Sequence, residues 1–280
     1  MWTGTRQQYF ELYETAAKAI KAHDASLKVG GPAATNIKSE LIKPFLAWCR
    51  ERNVPLDFLS WHAYYGVPEY LVNDAVTARK VLDEYGFKNT ENHLNEWRYL
   101  TTWSGLRPSN PKEYASVPEW FGRSCRAEGA AFCATVLLKL QDSPIDVLNF
   151  YTADTSAWSM FGQFGIPTKV FYVFKAFNEL AVLTNRVACT GGQNVVACAG
   201  LSADQKTAVV LLANFKKGQN ELAIALRNVP WGAEIHAETF VVDETRDMVR
   251  ATDVTFNCVS NPLRQELSPN TVLLIQLSRP

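Results

Sequence analysis

The chain has 280 residues, with 28 Lys+Arg against 28 Asp+Glu and therefore no formal net charge. That length carries one large domain, or a mid-sized domain with a smaller one attached. The balanced charge, without a run of five or six like charges, argues against nucleic acid or an anionic membrane surface as a partner. No segment reaches the roughly 18 uninterrupted apolar residues of a membrane span. The start Met1-Trp2-Thr3-Gly4-Thr5-Arg6 lacks the charged-then-apolar layout of a signal peptide, so the expectation is a soluble chain, cytoplasmic as expressed. The six cysteines form no Cys-x-x-Cys pair and no Cys/His cluster at zinc spacing. No metal, cofactor or disulfide framework is expected.

In chain order, apolar residues recur at helical spacing from Arg6 to His23 (Phe10, Leu12, Tyr13, Ala16, Ala17, Ile20). Leu27 to Pro32 reads as a short strand ended by breakers, and Asn36 to Asn53 as the next helix. Asp57 to Tyr64 is a strand, Tyr70 to Gly86 a helix and Glu91 to Trp97 a strand. A loop rich in Ser, Pro and Gly runs from Arg98 to Pro118. Glu119 to Leu140 is then helical, Ile145 to Tyr151 a fourth strand, Thr152 to Pro167 a second loop and Lys169 to Leu183 a helix.

Strands alternating with helices of this length predict parallel βαβ units. Four such units amount to half of an eight-stranded (β/α)8 barrel. Beyond Thr184 the helical period disappears. Asn194–Ala199, Thr207–Phe215, Glu221–Leu226, Glu234–Val242 and Thr271–Leu277 are short β-type runs, punctuated by Gly191-Gly192 and Lys217-Gly218. The predicted organisation is a partial (β/α)8 barrel over residues 1–183, followed by a small antiparallel β-sandwich domain over residues 184–280.

Barrel proteins carry their chemistry at the C-terminal ends of the strands and in the loops that follow. Here those places are Gly30-Gly31-Pro32, Trp61 to Tyr65, Asn95 to Arg98, and Tyr151 to Asp154. Glu96 closes its strand beside Trp97 and is the leading carboxylate. His62 ends an apolar strand and could equally be a core histidine. Asp154, with Trp158 nearby, suits contacts to sugar hydroxyls and a sugar face, although Asp-Thr-Ser is also an ordinary turn sequence. His93 lies three residues before Glu96, which in a regular strand puts the two on opposite faces, so its expected role is structural.

The runs Tyr9-Phe10-Glu11-Leu12-Tyr13, Leu27 to Ala33, Asp57 to Tyr64 and Asn95-Glu96-Trp97, continued by Phe150 to Asp154 and Pro167 to Phe177, resemble glycoside hydrolase family 39 in order and spacing. That family contains β-xylosidases and α-L-iduronidases. The resemblance covers about residues 6 to 183 and implies a retaining glycoside hydrolase on a (β/α)8 barrel. It implies Glu96 as the nucleophile and His62 as part of the sugar subsite. It also puts the acid/base glutamate in an Asn-Glu-Pro motif just upstream of Trp2-Thr3-Gly4, so that group and the first four barrel strands are expected outside these residues.

The enzyme reading has Glu96 attacking a β-glycoside such as a xyloside, with Trp61, Tyr64, Trp97, Trp103 and Trp158 lining the subsites and Asp154 or Glu69 as substitute acids. The alternative is a non-catalytic carbohydrate-binding module, or a remnant or partner subunit of such an enzyme. Four parallel strands alone would leave two edges and an apolar inner face uncovered, which predicts a homo-oligomer that completes the barrel.

Overall fold

The computed structural model describes residues 2–101, 116–157, 159–192 and 194–280. By compactness the chain divides into Met1–Thr101 with Leu140–Tyr151, and Thr102–Lys139 with Thr152–Pro280.

The first unit is an α/β layer. Strands β1 (Gly30–Ala34), β2 (Phe58–Tyr65), β3 (Glu91–Tyr99) and β4 (Val147–Phe150) lie parallel in the order β1-β2-β3-β4. Helix α1 (Arg6–His23) is started by a capping box, in which the Thr5 hydroxyl accepts from Gln8 N at 3.2 Å and the Gln8 side chain accepts from Thr5 N at 2.8 Å. Its Phe10 and Tyr13 pack on Phe45 of α2 (Ile42–Glu51), with ring centroids 5.6 and 4.8 Å apart. The predicted helix from Asn36 starts only at Ile42, because Ser39 N bonds Asn36 O in a turn at 3.2 Å and Pro44 is tolerated only in a first helical turn. Gly30 opens β1 where a Cβ would sit 2.2 Å from the Phe58 carbonyl, so only glycine lets the two strands pair this closely.

One face of this sheet is buried under helices. Leu59, Trp61 and Ala63 of β2 and Asn92, Leu94 and Trp97 of β3 lie on it, all at most 1 % exposed. Helix α3 (Pro68–Glu84) covers β2 and β3 there. At the C-terminal rim the ladders lose their regularity. Pairing slips between Pro32 and Ala34, where Ala33 is left-handed (φ 54°), and again around Asn95 on both sides of β3. Such bulges bend a strand and re-aim the side chains beyond them.

An ion-pair cluster ties α1 to α2. Glu14 accepts from Lys18 Nζ at 2.6 Å, from Arg52 Nε at 2.6 Å and from Trp48 Nε1 at 3.1 Å. The hydrogen bonds from Arg52 and Lys18 pull its pKa from 4.5 down to about 2. A depressed carboxylate stabilises the fold above its ordinary pKa and loses that contribution as pH falls through the folded value. Acid unfolding followed by circular dichroism is therefore expected to show a component between about pH 4.5 and pH 2 that Glu14→Gln flattens; an identical acid profile in the variant would refute it.

In the second unit, the predicted single helix over Glu119–Leu140 is two, α4 (Ser116–Cys125) and α5 (Ala127–Leu140). The chain turns at Arg126, and the Ser124 carbonyl lies 2.0 Å from where a Cβ on Gly129 would be. Helix α6 (Lys169–Ala181) forms as expected. It packs on an antiparallel sheet ordered β10-β9-β12-β7-β6-β5, made of β5 (Asn185–Val187), β6 (Val196–Leu201), β7 (Thr207–Asn214), β9 (Glu234–Val242), β10 (Asp247–Asn257) and β12 (Thr271–Ser278). A two-stranded sheet, β8 (Asn220–Ile224) with β11 (Leu263–Leu267), packs Leu222, Leu263 and Leu267 into one core with Leu212 and Ile275 of the larger sheet. Strands β5, β10 and β11 were not anticipated. The edge strand β10 is mostly exposed, so it lacks the apolar alternation that would announce it. Among the described residues no helix is long and apolar enough to cross a membrane.

Candidate active site

The β3 bulge builds the site. Ser60 pairs with His93 and Trp61 with Leu94, but His62 pairs with Glu96, so Asn95 is the extra residue. Ser60, His62 and Tyr64 alternate onto the sheet face opposite α3. Their partners His93, Glu96 and Arg98 share it. The expectation that His93 and Glu96 lie on opposite faces is therefore wrong, and the inserted residue is the cause. His93 nevertheless has structural company, stacked on Phe58 at 4.3 Å and bonded to Glu91 at 3.0 Å.

Glu96 is met on one oxygen by two groups. The Tyr64 hydroxyl donates to Oε1, and His62 Nδ1 lies 3.7 Å from the same atom. No described residue hydrogen-bonds Oε2, and the Glu96 side chain keeps 29 % of its exposure. Burial first, and then the bond to Glu96, push the Tyr64 phenol well above its ordinary pKa, with Arg98 opposing weakly. Tyr64 thus stays protonated and acts as a donor. Arg98, not anticipated as part of the site, is fully buried, stacks over Phe150 at 5.5 Å and reaches the Tyr151 carbonyl at 3.4 Å. A carboxylate with one oxygen pinned and the other open can act as a nucleophile or as a general base.

Not every expected residue joins this group. Trp97 pairs with Ala63 and Phe150, is fully buried, and lies on the helix-covered face; its ring meets Phe150 edge-on at 5.3 Å. Trp61 is also buried there, with Nε1 donating to Asn92 at 2.7 Å. Neither offers an aromatic platform on the Glu96 face, because each is one residue out of phase with it. Asp154 belongs to the other compact unit and is exposed; hydrogen bonds from the Ser156 side chain and then from Ser156 N, at 3.1 Å to Oδ1, lower its pKa. Trp103 and Trp158 lie outside the described residues.

Residues 1–117 match the family described as Glycosyl hydrolases family 39. The matched stretch contains Glu96, Tyr64 and His62. The chain is 30% identical over 206 residues to a beta-xylosidase of Geobacillus stearothermophilus, covering 62% of this chain and 38% of that protein. It is 31% identical over 173 residues to a beta-xylosidase of Caldicellulosiruptor saccharolyticus, covering 59% and 33% respectively. The chain thus spans only about a third of the length of these relatives, 38% and 33%. In fold it is similar, with a TM-score of 0.82 and 24% identity, to a crystal structure of a glucosidase from Croceicoccus marinus, covering 100% of this chain and 66% of that one.

Proposed function

We propose that the protein is a retaining glycoside hydrolase acting on β-glycosides such as xylosides, with Glu96 as its nucleophile. The observation that carries this reading is the division of labour on the Glu96 carboxylate: Oε1 accepts from the Tyr64 hydroxyl with His62 Nδ1 3.7 Å away, while Oε2 is open. The match of residues 1–117 to glycosyl hydrolases family 39 supports it, as does likeness to two beta-xylosidases.

Oε2 attacks the anomeric carbon as the bond to the leaving oxygen breaks, and a second carboxyl group protonates that oxygen. Water then displaces Glu96 from the glycosyl-enzyme and gives its proton to the same second group. Tyr64 orients the nucleophile in the ground state, and His62 lines the sugar subsite as a positioning contact. A 2-deoxy-2-fluoro-β-xyloside with a good leaving group should label the protein, and peptide mass analysis should find the label on Glu96. A label elsewhere, or hydrolysis with inverted anomeric configuration, would refute the assignment.

The second carboxyl group bears on assembly. Among the described residues, β1 and β4 each have a single neighbour in the parallel sheet. We read residues 1–183 as a barrel-type domain contributing half of a (β/α)8 barrel, and residues 184–280 as the appended β-sandwich. A two-fold homodimer would pair both edges and bring a partner carboxylate to the site. Light scattering on a sizing column should then give at least twice the 31.3 kDa chain mass; a folded monomer at micromolar concentration would exclude the dimer.

A further inference from the structure

Directly behind the site, α3 buries a charge that packing does not require. Asp74 is 1 % exposed, and the other buried positions of this helix, Pro68, Leu71, Ala75, Ala78, Val81 and Leu82, are all apolar. A carboxylate so far from water is tolerated only when hydrogen-bonded or paired, and an apolar side chain of similar volume serves a helix–sheet contact as well or better. Asp74 has two partners. Its Oδ2 accepts from the Tyr65 hydroxyl at 2.6 Å, and its Oδ1 lies 3.1 Å from Lys38 Nζ, reaching in from the segment between β1 and α2.

Tyr65 links this buried charge to the chemistry. It is the last residue of β2 and follows Tyr64, so its ring lies behind the sheet while that of Tyr64 lies on the Glu96 face. Its ring also meets Tyr70 edge-on at 5.5 Å, and its carbonyl accepts from Leu100 N at 3.0 Å. The free end of β2 is therefore clamped from behind at the residue next to the one that orients the nucleophile.

We propose that Asp74 is a positioning residue: through Tyr65 it fixes the end of β2 and so aims the Tyr64 hydroxyl at Glu96. This rests on the glycosidase reading for its kinetic consequence, but its structural consequence stands apart from turnover. A displacement of about 1 Å in a reacting group costs on the order of 100-fold in rate. Asp74→Ala, and independently Tyr65→Phe, which keeps the ring and removes only the hydroxyl, should lower kcat on an aryl β-xyloside by about 10- to 100-fold. KM should change little. Asp74→Asn, which keeps an acceptor for Tyr65, should restore most of the rate.

The same variants carrying 13C-labelled tyrosine report the Tyr64 to Glu96 hydrogen bond through the ring carbon bearing the hydroxyl, with no substrate present. The Tyr64 signal should shift in Asp74→Ala and Tyr65→Phe and return in Asp74→Asn. Absence of turnover in the wild type together with a shifted Tyr64 signal would sink the glycosidase reading and sustain the positioning role. A Tyr64 signal unmoved in both folded variants, or a kcat that falls only with the folded fraction, would overturn the positioning role.

Discussion

Glu96→Gln is expected to reduce hydrolysis of an aryl β-xyloside by about ten-thousand-fold or more, the scale on which enzymes lose rate when their nucleophile is removed. The amide keeps the shape of the side chain and can still accept the Tyr64 hydroxyl bond, but it has no charge with which to attack an anomeric carbon. Because the side chain is 29 % exposed and its closest contacts are Tyr64 and His62, stability should stay within about 0.5 kcal/mol, as for substitutions away from the core. Loss of activity with an unchanged melting curve separates a chemical role from a structural one. Glu96→Ala with added azide sharpens the result, since azide can enter the vacated space and attack the same face of the sugar. A nucleophile variant gives the α-glycosyl azide, with the configuration inverted once. A β-glycosyl azide would instead mark Glu96 as the proton donor, and wild-type rates in either variant would remove it from the chemistry altogether.

That experiment bears on a residue the sequence made visible, and the reason is simple. The strand-end rule needs only the position of a strand and the direction of the chain, and the apolar run Asp57 to Tyr64 supplies both for His62 and Tyr64. It gives no warning of a bulge. Asn95 adds one residue to β3, and that insertion turns Glu96 onto the face of His62 and His93; nothing in Asn92 to Trp97 distinguishes this from regular alternation. The same shift explains why Trp97 lies behind the sheet, while plain alternation along β2 puts Trp61 there. Aromatic abundance tells that rings must be placed somewhere, whereas the face is decided by register. In the second unit, β10 and β11 were hidden because exposed strands carry few of the apolar residues on which period-two patterns depend. The break between α4 and α5 was hidden for the opposite reason: the whole stretch favours helix, and the turn is visible only in the close approach of Ser124 to Gly129.

The largest loss of stability is expected at Asn92. This side chain is fully buried behind the sheet, where its Nδ2 donates to the Ala75 carbonyl at 3.0 Å and the Pro144 carbonyl at 2.6 Å, and its Oδ1 accepts from Trp61 Nε1 at 2.7 Å. One amide thereby joins β3 to α3, to β2 and to the turn that leads into β4. Asn92→Leu keeps the volume nearly constant but strands the indole N–H in an apolar environment and takes a partner from two carbonyls. Each buried polar group left unsatisfied costs about 1–3 kcal/mol, so the variant should lose about 3–5 kcal/mol, a large part of the roughly 5–15 kcal/mol that holds a typical domain folded. Removing the donor as well should return some of that loss. In Trp61→Phe the indole N–H is gone, and the Asn92→Leu/Trp61→Phe double variant should be more stable than the sum of the single losses predicts, by the coupling expected for a buried contact pair, about 0.5–3 kcal/mol. Urea unfolding of the four proteins measures the cycle. Strict additivity, or an Asn92→Leu variant within about 1 kcal/mol of wild type, would mean that the amide is not what joins these elements, because a buried indole N–H without its acceptor cannot be that cheap.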